Sequence, residues 1–389
     1  MDDSRPRRLR ELARLFGWLG LTAFGGPAAH VALIERQVVE RRGWLDRQHF
    51  LDLIAAINFI PGPNSTQLVI CLGQMRAGFA GLIVAGVSFI APAMLLILPL
   101  AWMYVRAGEL PQVQSPLRAI SAAVAAIVAV ATLRFARTAL RSTLAAVVAI
   151  LAIIIAPLLQ QRTAVKPEIP ILFVSAIVGI VHQRTRSWNN KVLSIGLPLG
   201  FWPQIVQMFW ELIKIGATLF GSGYVLVSYL QSSMIYQHGW LTPRQLDVAI
   251  AVGQFTPGPL LTTATFVGYL LGAGMFGGGT MGGVIGGIVA TIAIFLPSFI
   301  LVAIFGPVIQ RIRNNSSARG ALDAMNAAVV ALMAVATVRL MTSAICSNDT
   351  RQISITGIFI FILTMIGLWK RINATWLILL AGAIGAFIS

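Results

Sequence analysis

Two Pro-Gly-Pro tripeptides, Pro61-Gly62-Pro63 and Pro257-Gly258-Pro259, lie 196 positions apart, and uncharged hydrogen-bonding side chains crowd both of them. Asn58, Asn64, Ser65, Thr66 and Gln67 surround the first, and Gln254, Thr256, Thr262 and Thr263 surround the second. A second pair of motifs repeats at the same spacing: Phe24-Gly25-Gly26-Pro27, followed by His30, and Phe220-Gly221-Ser222-Gly223, followed by Tyr224. Neutral donors bind the oxygens of a small oxyanion without adding a full opposing charge, so the ion can leave again. That suits a carrier. The same side chains are good helix caps, and a cap-only role competes more strongly at any one position than for the whole set.

Enzymatic chemistry has less support. His30, His49, His182 and His238 fall into no metal set of the H-E-x-x-H kind and no nucleophile-base arrangement. Cys71 and Cys346 have no second Cys or His at ligand spacing. No metal, disulfide or cofactor is therefore expected.

The elements that must position these groups are broken helices. Proline lacks an N–H and pushes the preceding residue out of the helical region, while glycine supplies the turn. Each motif therefore ends one apolar helix and starts another, with new helices predicted near Ala28, Asn64, Tyr224 and Leu260. Backbone groups freed in lipid cost several kcal/mol each, so breaks are tolerated only inside protein or beside a polar cavity. Four breaks predict a shared polar hollow. Each new helix start carries about half a positive charge and unpaired N–H groups, which together cradle an anion.

The chain is a membrane protein by composition. Of 389 residues, 57% are hydrophobic and 11% charged, with a mean hydropathy of +0.82; about a quarter charged is usual in soluble domains. Apolar stretches at Val113 to Phe135, Leu144 to Leu159, Ile169 to Val181, Gly286 to Ile309, Ala327 to Val338, Ile353 to Trp369 and Trp376 to Ile388 approach or reach the length of a span, as does the segment holding Phe89 and Pro92. The lipid bilayer is thus a partner. The net charge of +16 comes from arginines gathered between spans and at the N-terminus, Arg5, Arg7, Arg8, Arg10 and Arg14 among them, where the positive-inside rule places them. No basic-aromatic interleaving points to nucleic acid. The basic-then-apolar opening, Leu12 to Phe24, has the look of a signal peptide, but it recurs within the chain and reads as part of the fold.

That recurrence is extensive. An offset of 196 superposes Gly20, Thr22, Phe24 and Gly25 on Gly216, Thr218, Phe220 and Gly221, and Gly43-Trp44-Leu45 on Gly239-Trp240-Leu241. A nine-residue insertion in the glycine-rich run Gly272 to Gly283 moves the offset to 205, after which Pro92 meets Pro297 and Arg134 meets Arg339. Duplication of this kind marks secondary transporters. Arg36, Arg41, Arg42, Arg47 and Arg76 have only Arg244 opposite them in the second copy, whose cluster is instead Arg311, Arg313 and Arg319. The charge rule therefore predicts inverted copies, with the N-terminus cytoplasmic and the C-terminus periplasmic. The expected fold is an all-α polytopic membrane protein of two homologous helical repeats, residues 1–191 and 212–389, joined by a linker span at 192–211.

Other polar residues carry competing readings. His30 is a candidate for touching the ion or shuttling a proton, but its repeat partner is Leu226, which favours an ordinary interfacial histidine. Glu35 reads equally as a proton carrier and as part of a solvated face with Arg36, Glu40 and Arg41. Trp44 and Trp240 read as interfacial anchors, and Arg134 and Arg339 as snorkelling helix ends.

Phe24-Gly25-Gly26-Pro27 with His30, Gly43-Trp44-Leu45, Pro61-Gly62-Pro63 with Gln67, and the span with Phe89 and Pro92 together resemble the chromate ion transporter family in its long two-domain form. The second copy departs from it in Phe220-Gly221-Ser222-Gly223 and in lacking a counterpart of His30. The resemblance implies a bacterial inner-membrane protein that exports chromate and confers resistance, with sulfate as the chemical analogue. Residue pattern alone reaches only as far as a small-anion carrier, active as a monomer or a homodimer.

Overall fold

The computed structural model describes residues 4–23, 27–107, 111–140, 142–162, 171–172, 174–178, 204–220, 225–275, 278–305, 316–345, 354–370 and 372–388. Every ordered element among them is helical. Helix α1 (Arg5–Thr22) starts with a proline in its first turn and buries Leu12, Leu15, Phe16, Leu19 and Gly20 along one stripe, the spacing of an apolar helix face. It ends as the Thr22 hydroxyl folds back onto the Trp18 carbonyl, 2.7 Å away.

Helix α2 (Pro27–Glu35) continues through a π-helical segment, Arg36–Arg41, to a turn at Gly43. There φ is +59°, a left-handed conformation that suits glycine, and the Trp44 amide donates to the Val38 carbonyl at 2.8 Å. The chain returns as α3 (Arg47–Ile57), whose N-cap Asp46 accepts from the His49 amide at 2.8 Å.

Helix α4 spans Asn64–Ala107, but Ala77 and Gly78 leave helical geometry, Gly78 with φ +66°. A Cβ on Gly73 would lie 2.3 Å from the Gly81 carbonyl oxygen, and one on Gly81 would lie 2.1 Å from that of Gly73. Residues eight apart in a continuous helix are separated by about 12 Å. The element is therefore a hairpin of two antiparallel arms, 64–76 and 79–107. At 1.5 Å per residue the first arm reaches only about 20 Å, too short to cross a bilayer, whereas the second is long enough to cross.

The chain continues through α5 (Pro111–Ala139), α6 (Thr143–Arg162) and further helical residues at 171–172 and 174–178. Residues 192–203 of the expected linker lie outside the described residues, and 204–211 form the first half of α7 (Gln204–Thr218). The pattern of the first half then recurs. Helix α8 (Val225–Leu230) runs on as a π segment, Gln231–Gln237, and turns at Gly239 with φ +61°, where the Trp240 amide donates to Met234 at 2.7 Å. Helix α9 (Pro243–Phe255) opens on a capping box between Thr242 and Gln245.

A 3-10 turn (Leu260–Thr262) leads into α10 (Thr263–Leu270) and a π segment (Leu271–Met275), and α11 (Gly279–Phe305) packs back against them. A Cβ on Gly268 would lie 2.3 Å from the Gly286 oxygen, so this pair is again a tight hairpin. Helices α12 (Ser316–Ile345), α13 (Ile355–Trp369) and α14 (Ala374–Ile388) complete the chain.

Small residues let the centre close up. Ala125 of α5 and Ala327, Ala328 and Ala331 of α12 are fully buried in one cluster, while Ala122 and Ala123 of α5 are buried with Ile360 of α13 and Ala381 of α14. The α13 and α14 helices lie on α5, and α6 lies on α12. A Cβ on Gly86 would touch the Phe299 ring, and one on Gly287 would touch Leu98, so the second arm of α4 and helix α11 pass each other in opposite directions. Among the described residues, four helical stretches, 64–107, 114–139, 279–305 and 323–342, are long and apolar enough to cross a membrane; within the first, the 79–107 arm is the one of that length. Leu95, Ile150, Ile154, Ile355, Trp369 and Phe387 point outward, as expected of a surface facing lipid.

Candidate functional site

Helix α4 begins at Asn64 and the 3-10 turn at Leu260, where proline and glycine place new starts, and α2 and α8 are described from Pro27 and Val225. Phe24, Gly25 and Gly26, and likewise Gly221, Ser222, Gly223 and Tyr224, lie outside the described residues. The other two breaks are seen directly. The Gly62 amide donates to the Leu219 carbonyl at 2.6 Å, and the Gly258 amide donates to the Ala23 carbonyl at 3.0 Å. Each Pro-Gly-Pro turn thus ties onto the residue just before the other half's Phe-Gly motif. Flanking prolines offer no N–H, so the glycine amide is the donor each turn can present.

The sequence predicts a hollow here, whereas the described residues close on one another. Gly258 has φ +103°, and a Cβ on it would sit 2.7 Å from the Ala93 Cβ and 3.2 Å from the Gly20 carbonyl oxygen. Gly62 has φ +135°, and a Cβ there would sit 2.4 Å from Gln67 Nε2 and 2.5 Å from Ser298 Oγ. Glycine's lack of a side chain is what allows backbone to meet backbone.

Around Gly62 the polar side chains are poorly satisfied. Gln67 is fully buried and donates from Nε2 to the Pro61 carbonyl at 2.6 Å, but its Oε1 has no hydrogen-bond partner among the described residues. Ser298 Oγ and Thr66 Oγ1, both buried, have none there either. Unmet buried polar groups cost roughly 1–3 kcal/mol each, so a cluster of them calls for a physical account. Asn64 turns to Asn58, its Nδ2 donating to Oδ1 at 2.6 Å, and Ser65 is buried beside them in sequence.

The second set behaves differently. Thr256 donates to Val252, Thr262 to Pro259 and Thr263 to Leu260, at 2.8, 2.6 and 2.8 Å. These hydroxyl protons go back to carbonyls three or four residues earlier, which is not the helix-start capping expected as the alternative: Thr262, the N-cap of α10, makes no side-chain cap bond. Gln254 Nε2 is buried without a partner among the described residues.

His30 departs from the interfacial reading. It is 2% exposed, and Nε2 lies 3.0 Å from the Ala23 oxygen that Gly258 also uses. A carbonyl can only accept, so Nε2 carries the proton. The ring meets Phe89 edge to face, 5.9 Å between centroids. Its place is the junction itself, because α2 folds back beside Ala23.

Glu35 pairs with Arg47 at 3.3 Å on an open surface, which is the solvated-face reading. Trp44 packs on Phe16 and lies under Arg76, while Trp240 stacks on His238 at 4.3 Å. Arg134 donates to the Leu368 carbonyl at 3.1 Å, and Arg339 covers Tyr236 at 4.5 Å.

Sequence reasoning missed three features. Ser298 sits one residue after Pro297, opposite Ala93 at the 205 offset, and only that alignment beside a matched proline marked it. Six arginines of the N-terminal face line a single recess of about 840 Å³; taken singly they read as loop charges. Glu211 of α7 is buried against Lys214, with Ser233 Oγ donating to it at 3.2 Å, and His238 Nε2 lies 3.7 Å away without a hydrogen bond to it. Nothing in the spacing of those four residues announces a cluster.

One family model, that of the chromate transporters, matches the chain twice, over residues 10–180 and 206–386. The chain belongs to the chromate transporter family. Among curated relatives of this family member, the chromate transport protein of Cupriavidus metallidurans is 27% identical over 363 residues, covering 90% of this chain and 87% of that protein. The chromate transport protein of Pseudomonas aeruginosa is 25% identical over 400 residues, covering 98% and 92%, and an uncharacterized transporter of Methanocaldococcus jannaschii is 27% identical, covering 95% and 92%. No solved structure matches. Family membership and helices fit to span a bilayer make the chain a membrane transporter.

Proposed function

We propose that this family member exports chromate across the bacterial inner membrane by alternating access, using two homologous repeats inverted relative to each other. The observation carrying this reading is the reciprocal pair of amide bonds, Gly62 to Leu219 and Gly258 to Ala23. The offset of 196 exchanges the members of one pair for those of the other. Other contacts behave alike: Gly20 faces the Phe89 carbonyl as Gly216 faces that of Ile294, and Gly258 faces Ala93 as Gly62 faces Ser298. A two-fold operation relating residues 1–191 to 212–389 accounts for these pairs, and the opposite course of the 79–107 arm and α11 agrees with inversion.

In this reading the half-crossing arms bring the breaks to mid-bilayer, where broken helices hold substrate in inverted-repeat carriers. The breaks from Phe24 to Pro27, Asn58 to Gln67, Gly221 to Tyr224 and Gln254 to Thr263 form the oxyanion site, with Ser298 added to it. The Ser298 and Thr66 hydroxyls and the second Nε2 hydrogen of Gln67 are the neutral donors of this lining, whereas Gln67 Oε1 can only accept. The junction is shut, and the arginine-lined recess lies on the N-terminal, cytoplasmic side.

The membrane potential suffices to drive export. About 2.3 kcal/mol is available per charge per 100 mV, so a dianion leaving an inside-negative cell gains about 4.6 kcal/mol. At about 1.4 kcal/mol per decade, that sustains a gradient of roughly a thousandfold or more. Proton coupling is not required.

Neutral donors do not separate chromate from sulfate, since both are tetrahedral dianions. Counterflow in proteoliposomes, comparing chromate, sulfate, molybdate and phosphate, tests the assignment. Chromate exchange with charge movement is expected. Indifference to chromate alongside sulfate exchange would replace the substrate, and inertness to all four would end the carrier reading.

A further inference from the structure

The recess on the N-terminal face is lined by Arg7, Arg10, Arg14, Arg41, Arg42 and Arg76, with Glu11 the single carboxylate among them. Six guanidiniums that never lose their charge surround one acid. Glu11 lies 3.6 Å from Arg42 and 3.5 Å from Arg76; Arg42 also donates to Gln37, and Arg76 lies over Trp44. Those contacts fix two arginines in the wall. Arg10, Arg14 and Arg41 are exposed and form no ion pair among the described residues.

The positions follow one helical stripe. Arg7, Arg10, Glu11, Arg14, Leu15 and Trp18 share a face of α1 and all line the recess. The stripe runs inward: Trp18 is followed one turn later by Thr22, which bonds back to it, and then by Ala23 at the junction. Nine residues of helix, about 14 Å, separate Arg14 from that point. The charge therefore leads from water toward the closed break.

The repeat-related positions of the other half lack these charges. At the offset of 196, Arg10, Arg14, Arg41, Arg42 and Arg76 become Val206, Trp210, Gln237, His238 and Gly272. What stands there is the buried Glu211 and Lys214 pair, which is close to neutral. A plain excess of cytoplasmic arginine needs no concave arrangement, and a repeat that keeps its turns and glycines while losing every one of these charges has separated charge from fold.

We infer that this recess is a capture site for tetrahedral dianions, present on the N-terminal side alone, which concentrates the ion ahead of the junction. Guanidinium forks match the oxygens of such ions, and a concave field of one sign raises local ion concentration. Three unpaired arginines among two fixed by Glu11 hold the ion loosely, so it passes on. The carrier is thereby kinetically one-sided. This rests on the carrier reading above and adds which face collects the substrate. Anionic lipid headgroups share the phosphate-like chemistry, and the test separates them.

The test measures initial rates of radiolabelled chromate entry into inside-out and right-side-out membrane vesicles carrying the full chain, as wild type, as R10Q/R14Q/R41Q and as R10K/R14K/R41K. At an ionic strength of about 0.01 M, where charges act over about 30 Å, the Gln variant is expected to raise KM about tenfold from the N-terminal face with Vmax unchanged. The difference shrinks at about 0.2 M, the Lys variant stays near wild type, and KM from the opposite face does not move. An unchanged KM, an equal rise from both faces, or a salt-independent effect overturns the inference. So does an effect confined to proteoliposomes containing phosphatidylglycerol and absent in phosphatidylcholine, which assigns the arginines to lipid. If the Gln variant misses the membrane, R10Q alone is read against a threshold of a twofold rise. Wild-type vesicles that move no chromate or sulfate would sink the carrier reading itself, a result distinct from all of these.

Discussion

The Gly258 amide and the His30 ring both donate to one oxygen, the Ala23 carbonyl, each at 3.0 Å. The last carbonyl before one half's break is thus saturated by a donor from its own half and a donor from the other. A helix end that would be costly in lipid is satisfied by the opposing turn. Prising the two halves apart here must release at least one of those bonds, so the contact is suited to a closure that forms and opens.

Replacing Gly258 by alanine should weaken that closure. The left-handed φ costs about 1–3 kcal/mol for a residue with a side chain, and the new Cβ strikes Ala93. Thermal unfolding in detergent is expected to show a lower Tm and chromate flux to fall. The double variant G258A/A93G removes the collision but not the backbone strain, and should recover part of both.

Close packing of α1 on α4, and of α7 on α11, depends on Gly20 and Gly216. Added Cβ atoms would lie 2.6 Å from the Phe89 oxygen and 2.3 Å from the Ile294 oxygen. Alanine at either site is expected to cost about 1–3 kcal/mol by forcing backbone apart. Gly17, whose nearest such neighbour is the Ser88 oxygen at 3.8 Å, should accept alanine and gain up to about 1 kcal/mol of helix propensity.

How much of this was legible follows from what each signal depends on. Helix restarts were readable because proline and glycine act locally, and Asn64 and Leu260 begin new turns as read. The reversal at Ala77 and Gly78 was not: Gln74, Arg76 and Gly78 interrupt the apolar run there, but without a proline they do not distinguish a turn from a charge carried on a long helix, and the approach of Gly73 to Gly81 is what shows it. Hydroxyls were read by type, yet type does not say where a proton goes: Thr262 and Thr263 spend theirs on their own turn, while Thr66 and Ser298 lack partners among the described residues. His30 reads as an interfacial histidine because Leu226 stands opposite it, but its partner is a backbone oxygen, which leaves no trace in the repeat.

At the tip between α2 and α3, Asp46 and His49 are bonded through both the side chain and the backbone. The Asp46 side-chain hydrogen bond holds the His49 pKa above 6.5, and the His49 amide holds that of Asp46 below 3.8. The raised histidine contributes stability below about 6.5 that fades as pH rises through its folded value. The depressed aspartate contributes above about 3.8 and is lost as pH falls through its folded value. Both act together between those limits. Ring-proton NMR titration should place His49 above 6.5 in the wild type and bring it down toward that value in Asp46→Asn.

Thr132 and Thr337 bring their hydroxyls to 3.1 Å across α5 and α12, yet each donates to its own helix, to Val128 at 2.8 Å and to Met333 at 2.7 Å. Neither has a proton left for the other. T132V/T337V should therefore change stability by less than about 1 kcal/mol. With Cys71 and Cys346 replaced by serine, T132C/T337C is expected to cross-link with a short bifunctional thiol reagent, and the bridge to stop transport if the repeats move against each other there. Full transport after complete cross-linking would remove motion between α5 and α12 from the mechanism.

The most direct test of the account is chromate counterflow by Gln67→Leu and Ser298→Ala in proteoliposomes, with Tm measured alongside. Losing a hydrogen bond to a charged ion is worth about 1.5–3 kcal/mol, so each variant should lose about tenfold or more in Vmax/KM; Ser298→Ala should keep its Tm, whereas Gln67→Leu, which also gives up its bond to the Pro61 carbonyl, should lower it. Wild-type chromate counterflow by both variants would show that the ion does not pass the junction around Gly62.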